Sequence, residues 1–493
     1  MRGYYTADEV RSAEAPLMAS LPEGALMRRA AHGLAGVVAS ELRVRTGAVA
    51  GRAVTILVGS GDNGGDALWA GAMLRRRGVA ATAVLLNPEK AHKSGLAAFR
   101  AVGGRIADPA DDLGLPDLVI DGIVGISGKG PLRPDAADLV RRIEVPIVSA
   151  DLPSGVDPDT GAVEGPAVHA SVTVSFGALK RVHALGAAHC GRVELVPIGL
   201  SLGPAGMSAL EPAEVGAAWP FPGAEDDKYS QGVVGVVAGS ESYPGASVLC
   251  TSAAITATSG LVRYAGPCTR EVLAYSPEVI ATRDLADAGR VQSWVVGPGM
   301  GTDEAGRRTL RTVLESDVPV LVDADGLTLL ADDPDLVRLR SAPTLLTPHS
   351  GEFARLTGKE PGPDRTASVR ALAADWGAHV LLKGRATVIA EPGGDVFVNE
   401  AGGSWSATAG AGDVLSGIVG SLMAAGIAPN RAAAMGARAH SLAANLAARG
   451  DPEGPSGGRA AAPISALVLL AQLRESIRIL RAGVSPEKMS DLS

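Results

Sequence analysis

Aromatic residues are scarce in this sequence and make up 3% of its 493 residues, although 46% of the residues are hydrophobic. Any core must therefore be built mainly from alanine, valine, leucine and isoleucine. A single core does not grow to the size of this chain, because chains beyond about 250–300 residues divide into domains. We expect two or three domains.

Cysteine is scarce as well. Cys190, Cys250 and Cys268 are odd in number and show no Cys-x-x-Cys spacing, so neither a disulfide framework nor a zinc site is indicated. The sequence also lacks an apolar run of membrane-spanning length, and its start at Met1–Val10 is polar and acidic, unlike a signal peptide. We therefore expect a cytoplasmic protein with no membrane partner.

Basic residues are fewer than acidic residues. The chain has 45 Lys and Arg residues against 53 Asp and Glu residues, which gives a net charge of −8, and it has no long basic run. Binding to nucleic acid or to an anionic membrane requires clustered basic side chains. The composition therefore argues against nucleic acid and favours small molecules as partners.

Short strands rich in β-branched residues alternate with helices along the first part of the chain. Two helices within the first 50 residues precede a strand at Val54–Val58, a tight turn at Gly59–Gly65 and a helix at Asp66–Arg77. Further strands are predicted at 83–86, 118–120, 145–149 and 172–176. A mostly parallel sheet flanked by helices is expected, so we predict an N-terminal Rossmann-like three-layer sandwich of the α/β class.

A stretch rich in proline and glycine, from Ser201 to Asp227, has the composition of a linker. A second α/β series begins after it at the strand Val233–Val237 and predicts another three-layer sandwich. Its other strands are predicted at 294–296, 318–322, 344–346, 380–382 and as a pair within 386–398, and helices around 248–258 and from 414, 431 and 464. The predicted domains are 1–215 and 216–482, followed by a polar tail at 483–493.

The first glycine-rich turn, Gly59–Asp66, contains Gly-x-Gly-x-x-Gly between a strand and a helix, where a phosphate-binding turn belongs. The next strand ends at Asn87-Pro88 and not at the acidic residue that holds a ribose, so standard NAD redox binding is not indicated. Oxygen-bearing side chains instead follow successive strands, at Asn63, Asp121, Asp151 and Ser154. Each alone is more often a helix cap or turn residue, but strand ends of a parallel sheet converge, so together they could surround a cation.

This turn, with Asp121–Gly125, Gly128–Pro131 and Asp151–Gly155 in the same order, resembles the N-terminal domain of NAD(P)H-hydrate epimerases over about residues 1–215. The resemblance implies that potassium binds Asn63, Asp121 and Ser154. It also implies that the hydrated nucleotide binds Asp62, Asn63, Gly64, Gly65, Asp66, Gly125, Ile126, Ser127, Gly128, Lys129, Gly130, Pro131 and Asp151.

By the same resemblance Asp151 lies at the reacting ring, which makes it the candidate acid/base. Inverting the hydroxyl-bearing carbon requires the hydrate to open and reclose, helped by proton transfer. The partner acid is not evident from the sequence. Lys180 is a candidate, although a lysine in this setting is more often on the surface.

The second glycine-rich stretch, Thr408–Gly417, leads into a predicted helix. Gly410 and Gly412 would let the backbone approach an anion at the helix N-terminus, where the dipole favours a phosphate. Asp413 could then accept a proton from a hydroxyl beside that phosphate. The alternative is an ordinary glycine-rich loop with a capping aspartate.

Other polar or glycine-rich strand ends in this half are predicted to lie around the same phosphate, at 239–246, 297–301, 323–325, 347–352 and 383–387. Lys383 and Thr387 could neutralise and hydrogen-bond phosphates. His349 could contact a substrate or could equally be satisfied by backbone groups. Asp323 and Glu352 could hold a metal through water or could simply cap helices.

With Asp227–Gly232, Gly297–Gly301 and Thr347–Glu352, this set resembles the ribokinase-like superfamily and, within it, the ADP- or ATP-dependent NAD(P)H-hydrate dehydratases, over about residues 216–482. Many members carry Thr or Ser where Ala411 stands, but that position offers its backbone N–H, so we expect little change. The resemblance implies that the adenine nucleotide binds Lys383, Gly384, Arg385, Ala386, Thr387 and Gly412, and that the hydrated nicotinamide nucleotide faces Gly299, His349 and Asp413.

The resemblances together imply a two-domain repair enzyme. An epimerase would interconvert the R and S hydrates of NADH and NADPH, and a dehydratase would phosphorylate the S form with ADP or ATP and release phosphate. ADP is the expected phosphoryl donor and would give AMP. Mg²⁺ is expected at the phosphates and K⁺ in the epimerase. A homo-oligomer is expected. The alternative is a ribokinase-like vitamin or sugar kinase with a non-catalytic N-terminal nucleotide-binding module.

Overall fold

The computed structural model describes residues 1–108, 115–449 and 461–483. They form two compact units: the N-terminal unit is Gly3–Met207, and the C-terminal unit is Ser208–Ser493 together with Met1–Arg2. The predicted polar tail, apart from Gly483, lies outside the described residues. Among the residues described, no helix has both the length and the apolar character required to cross a membrane.

The strands of the described residues are, in chain order, β1 (Arg2–Tyr4), β2 (Ala53–Val58), β3 (Ala80–Leu85), β4 (Arg105–Ala107), β5 (Leu118–Gly122), β6 (Ile147–Ala150), β7 (Val172–Phe176), β8 (Arg192–Val196), β9 (Met207–Ala209), β10 (Val233–Val237), β11 (Leu261–Ala265), β12 (Ile280–Thr282), β13 (Ser293–Val296), β14 (Val320–Val322), β15 (Thr344–Leu346), β16 (His379–Leu382), β17 (Ala386–Ala390) and β18 (Val396–Glu400).

The α-helices of the described residues are α1 (Ala7–Ser20), α2 (Ala25–Thr46), α3 (Asp62–Arg76), α4 (Lys93–Ala101), α5 (Pro134–Arg141), α6 (Val182–Leu185), α7 (Ala187–Cys190), α8 (Pro212–Ala218), α9 (Pro244–Ala257), α10 (Thr269–Tyr275), α11 (Glu304–Leu314), α12 (Asp325–Leu330), α13 (Asp335–Arg338), α14 (Ser350–Thr357), α15 (Arg365–Trp376), α16 (Ala411–Ala424), α17 (Pro429–Arg449), α18 (Ala466–Ala471) and α19 (Leu473–Arg481).

The N-terminal unit is built on a parallel sheet of seven strands in the order β4-β3-β2-β5-β6-β7-β8. Side chains alternate between the two faces of a strand. Ile56 of β2 therefore packs on one face with α2 and α3, whereas Leu57 packs on the other with α5. Helices cover both faces, which confirms the predicted Rossmann-like sandwich.

The second sheet has eleven strands in the order β1-β9-β18-β17-β16-β15-β14-β13-β10-β11-β12. Neighbouring strands among β10 to β16 are parallel. The strand β17 is antiparallel to both of its neighbours, β16 and β18. Alternate strand residues, such as Val295 and Leu321, pack in one cluster with α9, α16 and α17. The helix α11 packs on β13 and the helix α15 packs on β16. Their buried residues do not belong to the first cluster. The second α/β sandwich is therefore confirmed as well.

Two local predictions were wrong. The helix α3 begins at Asp62 and not at Asp66, because Gly61, at a φ of 91°, turns the chain directly into the helix. The predicted linker at 201–227 contains β9 and α8. That segment is anchored by Trp219, which is buried and donates a hydrogen bond from Nε1 to the carbonyl of Ala257 at 2.8 Å.

We predict that Gly417→Ala destabilises the C-terminal unit. Gly417 faces α9 from α16, and a Cβ atom there would lie 2.2 Å from the carbonyl oxygen of Cys250, so the two helices would have to separate. Such overpacking costs about 1–3 kcal/mol of unfolding free energy. Urea unfolding followed by tryptophan fluorescence would measure it, since four of the five tryptophans, at 219, 294, 376 and 405, lie in this unit.

The matched control is Gly245→Ala in α9, where a Cβ atom would meet nothing within 4 Å. The control should be neutral or stabilising by up to about 1 kcal/mol, because glycine is a poor helix former. Equal midpoints for the two variants would contradict the close packing of α9 on α16.

Candidate active sites

Polar side chains meet at the carboxyl ends of β5 and β6 in the N-terminal unit. Asp121 is fully buried, and its Oδ1 accepts hydrogen bonds from Ser154 Oγ at 2.6 Å and from Ile123 N at 3.2 Å. Its Oδ2 accepts from Ser149 Oγ at 2.8 Å and from Ser154 N at 2.9 Å. Burial raises the pKa of Asp121, and these hydrogen bonds, those of Ser154 first, only partly offset the rise. Asp121 and Ser154 thus come together as predicted.

Asn63 lies beside this pair, in the first turn of α3. A Cβ atom on Gly125 would lie 3.2 Å from the Asn63 Cβ and 3.4 Å from its Oδ1. The hydroxyl of Ser154 accepts a hydrogen bond at 2.9 Å from the backbone N of Val124, so the same loop adjoins both residues. The three side chains offer amide, carboxylate and hydroxyl oxygens, which suit a hard cation. The residues present therefore fit the potassium that the resemblance implies.

Asp151 has the left-handed backbone conformation, with a φ of 68°, immediately after β6. Its Oδ1 accepts a hydrogen bond from Phe176 N at 3.2 Å and forms an ion pair with the ammonium group of Lys180. Lys180 is 1% exposed, so the expectation of a surface lysine was wrong. Left-handed backbone is uncommon outside glycine, although aspartate adopts it more often than most residues, and strained residues of this kind cluster at active sites.

His183 fixes the same segment. The backbone N–H of Lys180 donates to His183 Nδ1 at 2.9 Å, so the ring carries its hydrogen on Nε2, which donates to the carbonyl of Asp151 at 2.9 Å. Burial and then the charge of Lys180 lower the pKa of His183 to about 4, so the ring is neutral at physiological pH. The sequence carries no local signal for this contact, and it was missed together with Ser149 and Ser175.

The remaining residues predicted to bind the hydrated nucleotide lie on α3 and on the loop after β5. Asp62 and Asp66 bracket the first turn of α3, and their charges act on one another. The loop 125–131 is exposed at Ser127 and at 129–131, and its Ile126 carbonyl accepts a hydrogen bond from Arg11 of α1 at 3.0 Å.

The second site is at the start of α16. Gly410, at a φ of 82°, turns the chain into this helix, and Asp413 lies in its first turn. Burial and the negative charge of Asp323 raise the pKa of Asp413 to about 7, while the charge of Lys383 opposes the rise. A carboxyl group that titrates near neutral pH suits proton transfer to or from a substrate.

Asp323 and Lys383 form an ion pair beside this aspartate. Asp323 is 1% exposed at the end of β14; its Oδ1 accepts from Lys383 Nζ at 2.5 Å and its Oδ2 from Ser416 Oγ at 2.7 Å. Burial lowers the pKa of Lys383, but the charges of Asp323 and Glu352 outweigh it and the pKa is raised, so the lysine stays charged. A Cβ atom on Gly412 would lie 3.4 Å from Lys383 Nζ.

Lys383, Gly412 and Asp413, which the sequence predicted to act together, are therefore neighbours. Ser416, one turn along α16, was missed. Gly297 also belongs here, because a Cβ atom on it would lie 1.9 Å from the carbonyl oxygen of Asp323, so only glycine fits.

His349 and Glu352 form a reciprocal cap at the start of α14. Glu352 Oε2 accepts from the backbone N of His349 at 2.7 Å, and His349 Nδ1 accepts from the N–H groups of Gly351 and Glu352 at 3.0 and 3.2 Å. Glu352 therefore caps a helix, which was one of the two alternatives for it, and its Oε2 also lies 3.9 Å from Lys383 Nζ. The side chain of His349 is 55% exposed, and its Nε2 lies 3.5 Å from Glu352 Oε1.

Other predicted contact residues lie on neighbouring turns. Arg385 Nε donates to Glu400 Oε1 at 3.2 Å, and Thr387 Oγ1 donates to the carbonyl of Gly384 at 3.0 Å. Ala386 is the first residue of β17. Gly299 has a φ of 58°, and a Cβ atom placed on it would lie 2.9 Å from the Cβ of Ala246.

Comparisons with known proteins agree with this division. A family model described as NAD(P)H-hydrate dehydratase matches residues 234–453, and one described as YjeF-related protein N-terminus matches residues 23–182. The bifunctional NAD(P)H-hydrate repair enzyme of Mycobacterium tuberculosis is 61% identical over 437 residues, covering 88% of this chain and 92% of that protein. That of Mycobacterium leprae is 57% identical over 483 residues, covering 97% and 100%.

Among solved structures, the ADP/ATP-dependent NAD(P)H-hydrate dehydratase of Bacillus subtilis, co-crystallised with ATP and Mg²⁺, is 26% identical to this chain. The similarity covers 55% of this chain and 98% of that one, with a TM-score of 0.48.

Proposed function

The chain belongs to the bifunctional NAD(P)H-hydrate repair enzymes, and from this premise we propose which of its residues carry each step. It is an epimerase and an ADP/ATP-dependent dehydratase of hydrated NADH and NADPH. We assign epimerisation to the N-terminal unit and dehydration to the C-terminal unit.

For dehydration, the observation that carries the proposal is Asp413, a carboxyl group with a pKa of about 7 beside the ion pair of Asp323 and Lys383. Asp413 takes the proton of the hydroxyl on the damaged ring, and that oxygen attacks the terminal phosphoryl group of the nucleotide. Phosphate then leaves with its oxygen, the neighbouring ring carbon loses a proton, and the double bond reforms. Gly299 and His349 are proposed to contact the same ring.

The adenine nucleotide is proposed to bind at 383–387 and at the backbone N–H of Gly412. The charge of Lys383 attracts its phosphates, and the N-terminus of α16 faces them. Magnesium, when bound, would screen the phosphate charges. Asp323 and Glu352 would hold the magnesium through bridging water and not directly, because both carboxylate oxygens of Asp323 already accept hydrogen bonds, from Lys383 and Ser416. ADP is proposed as the donor.

For epimerisation, Asp151 is proposed as the base. It takes the hydroxyl proton of the hydrate, so that the carbon–nitrogen bond of the ring opens and the chain can reclose on the other face. Lys180 stabilises its negative charge, and His183 holds its backbone. The segments 62–66 and 125–131 are proposed to bind the nucleotide. Potassium, when bound by Asn63, Asp121 and Ser154, would supply a fixed positive charge. A homo-oligomer and a cytoplasmic location stay predictions.

The test is the absorbance of reduced nicotinamide after purified protein is mixed with racemic NADH hydrate, Mg²⁺, K⁺ and either ADP or ATP. We expect recovery of the whole racemate, with AMP formed in step when ADP is the donor. With choline in place of K⁺ at the same ionic strength, recovery should slow once the S form, half of the racemate, is consumed. The R form then waits for slow spontaneous epimerisation.

Fast recovery of the whole racemate in choline would contradict the potassium site. No recovery in any condition would contradict the repair function, and accumulation of a stable phosphorylated product would indicate the alternative vitamin or sugar kinase.

A further inference from the structure

Ring opening of the hydrate requires two proton-transfer groups. When a base removes the hydroxyl proton, the carbon–nitrogen bond breaks and its electron pair moves to the ring nitrogen, which must gain a proton from an acid. Reclosure runs the same two transfers backwards. This reasoning rests on the proposed role of Asp151 as the base, and it leaves the acid to be found.

Lys180 does not fit the role of this acid. An ammonium group has three N–H donors. Those of Lys180 face Asp151 Oδ1, the Phe176 carbonyl at 2.9 Å and Ser175 Oγ at 3.3 Å, so all three are engaged within the protein. Lys180 instead holds the negative charge of Asp151 in place.

Asp66 has the opposite character. It projects from the second turn of α3, is 8% exposed, and its Oδ1 is buried with no hydrogen-bond partner among the described residues. A buried polar atom without a partner is rare in folded proteins and calls for an explanation. The groups whose charges act on Asp66 are Asp151 after β6, Asp62 of α3, Glu14 of α1 and Lys180 after β7. Asp66 therefore lies within electrostatic range of the proposed base.

We propose that Asp66 is the acid partner of Asp151 in the epimerase. Asp66 gives its proton to the ring nitrogen as the carbon–nitrogen bond breaks, while Asp151 takes the hydroxyl proton. In reclosure on the other face, Asp66 takes the proton back from nitrogen and Asp151 returns its proton to the oxygen. The two transfers balance, and no other reactant is consumed.

The electrostatics of the cluster agree with this assignment. Burial and then the negative charge of Asp151 raise the pKa of Asp66 well above its usual value. Asp151 has a bonded ammonium partner, whereas Lys180 acts on Asp66 only as the last and weakest influence. Two carboxyl groups in different environments thus divide into a base and an acid, as acid/base pairs in enzymes do.

The test is Asp66→Asn in the full-length chain. Asparagine keeps the shape and a hydrogen-bond donor but has no acidic proton to transfer. We expect the epimerase kcat to fall by about 10²–10⁴-fold, which is a larger change than any rise in KM from a weaker contact with the nucleotide. Dehydration of pure S hydrate by the same chain should be unchanged, which controls for concentration and for folding of the other unit.

The matched control is Glu14→Gln, which removes another half-buried carboxyl group of the same cluster and should leave the epimerase kcat close to wild type. Loss of kcat in Glu14→Gln with wild-type turnover in Asp66→Asn would assign the acid to Glu14. A raised KM with unchanged kcat in Asp66→Asn would make Asp66 a binding residue only. Either result overturns the proposal.

The pH profile keeps the proposal testable even if Asp66→Asn does not fold. The kcat/KM of the wild-type epimerase should fall at alkaline pH as Asp66 loses its proton. A kcat/KM that stays constant at alkaline pH would overturn the proposal. Asp151→Asn separates this inference from its premise. If Asp151→Asn is inactive and Asp66→Asn is active, the inference alone fails, whereas turnover in both variants removes the proposed base as well.

Discussion

Dehydration is expected to fall by about 10²–10⁴-fold in Asp413→Asn, because the variant keeps the size of the side chain and removes the group that accepts the hydroxyl proton. The measurement is the kcat for recovery of reduced-nicotinamide absorbance from pure S hydrate with saturating ADP. Epimerisation by the same chain should continue at the wild-type rate, since the two activities use different units.

The matched control is Asp332→Asn, which removes an exposed carboxylate of the same unit that pairs with Arg307 at 3.0 Å. It should leave dehydration unchanged, because surface ion pairs contribute little to stability. Wild-type dehydration in Asp413→Asn would contradict the assignment of the base.

The pH profile of dehydration follows from the same residue. The pKa of Asp413 is raised to about 7 by burial and by the charge of Asp323, and only the ionised form can accept a proton. The kcat/KM of the wild type should therefore rise as pH increases through about 7 and level off above it. A rate that is independent of pH across neutrality would contradict this, and so would a rate that falls.

Local sequence patterns were sufficient for the framework of both sheets. Buried parallel strands are short runs of β-branched residues, and β2, β7 and β10 are such runs. The strands β1, β4, β8, β9, β11 and β12 were missed. Of these, β1, β4, β9 and β12 have only three residues each, and β8 and β11 carry charged side chains, so their patterns are weak. The start of α3 was placed four residues late because Asp62–Gly65 reads locally as a turn.

Strand-end motifs likewise predicted the neighbours Asp121 and Ser154, and Gly412 and Lys383, because parallel strands end at one edge of a sheet. Pairing between distant side chains carries no such pattern. Lys180 is 29 residues from Asp151, and Lys383 is 60 residues from Asp323. A lysine in a loop is usually exposed, so only the folded backbone shows that Lys180 is buried on a carboxylate.

Lys180→Met is expected to abolish epimerisation and to destabilise the N-terminal unit. Lys180 and Asp151 are buried, with side chains 1% and 10% exposed, so the variant leaves a carboxylate without its counter-charge. Breaking a buried pair costs about 3–5 kcal/mol, because the remaining charge is uncompensated. Epimerisation is lost because the negative charge of the proposed base is no longer stabilised. Hydrogen exchange of the β6 and β7 amides would measure the stability of this unit alone.

The double variant Lys180→Met with Asp151→Asn separates the two effects. Removing both charges leaves no unpaired ion, so most of the lost stability should return, while epimerisation should stay absent because the base is missing. Dehydration should persist in both variants. If Lys180→Met keeps wild-type exchange protection and turnover, the ion pair contributes neither to the fold nor to catalysis. If the double variant is as unstable as Lys180→Met, the loss comes from packing of the lysine side chain and not from its charge.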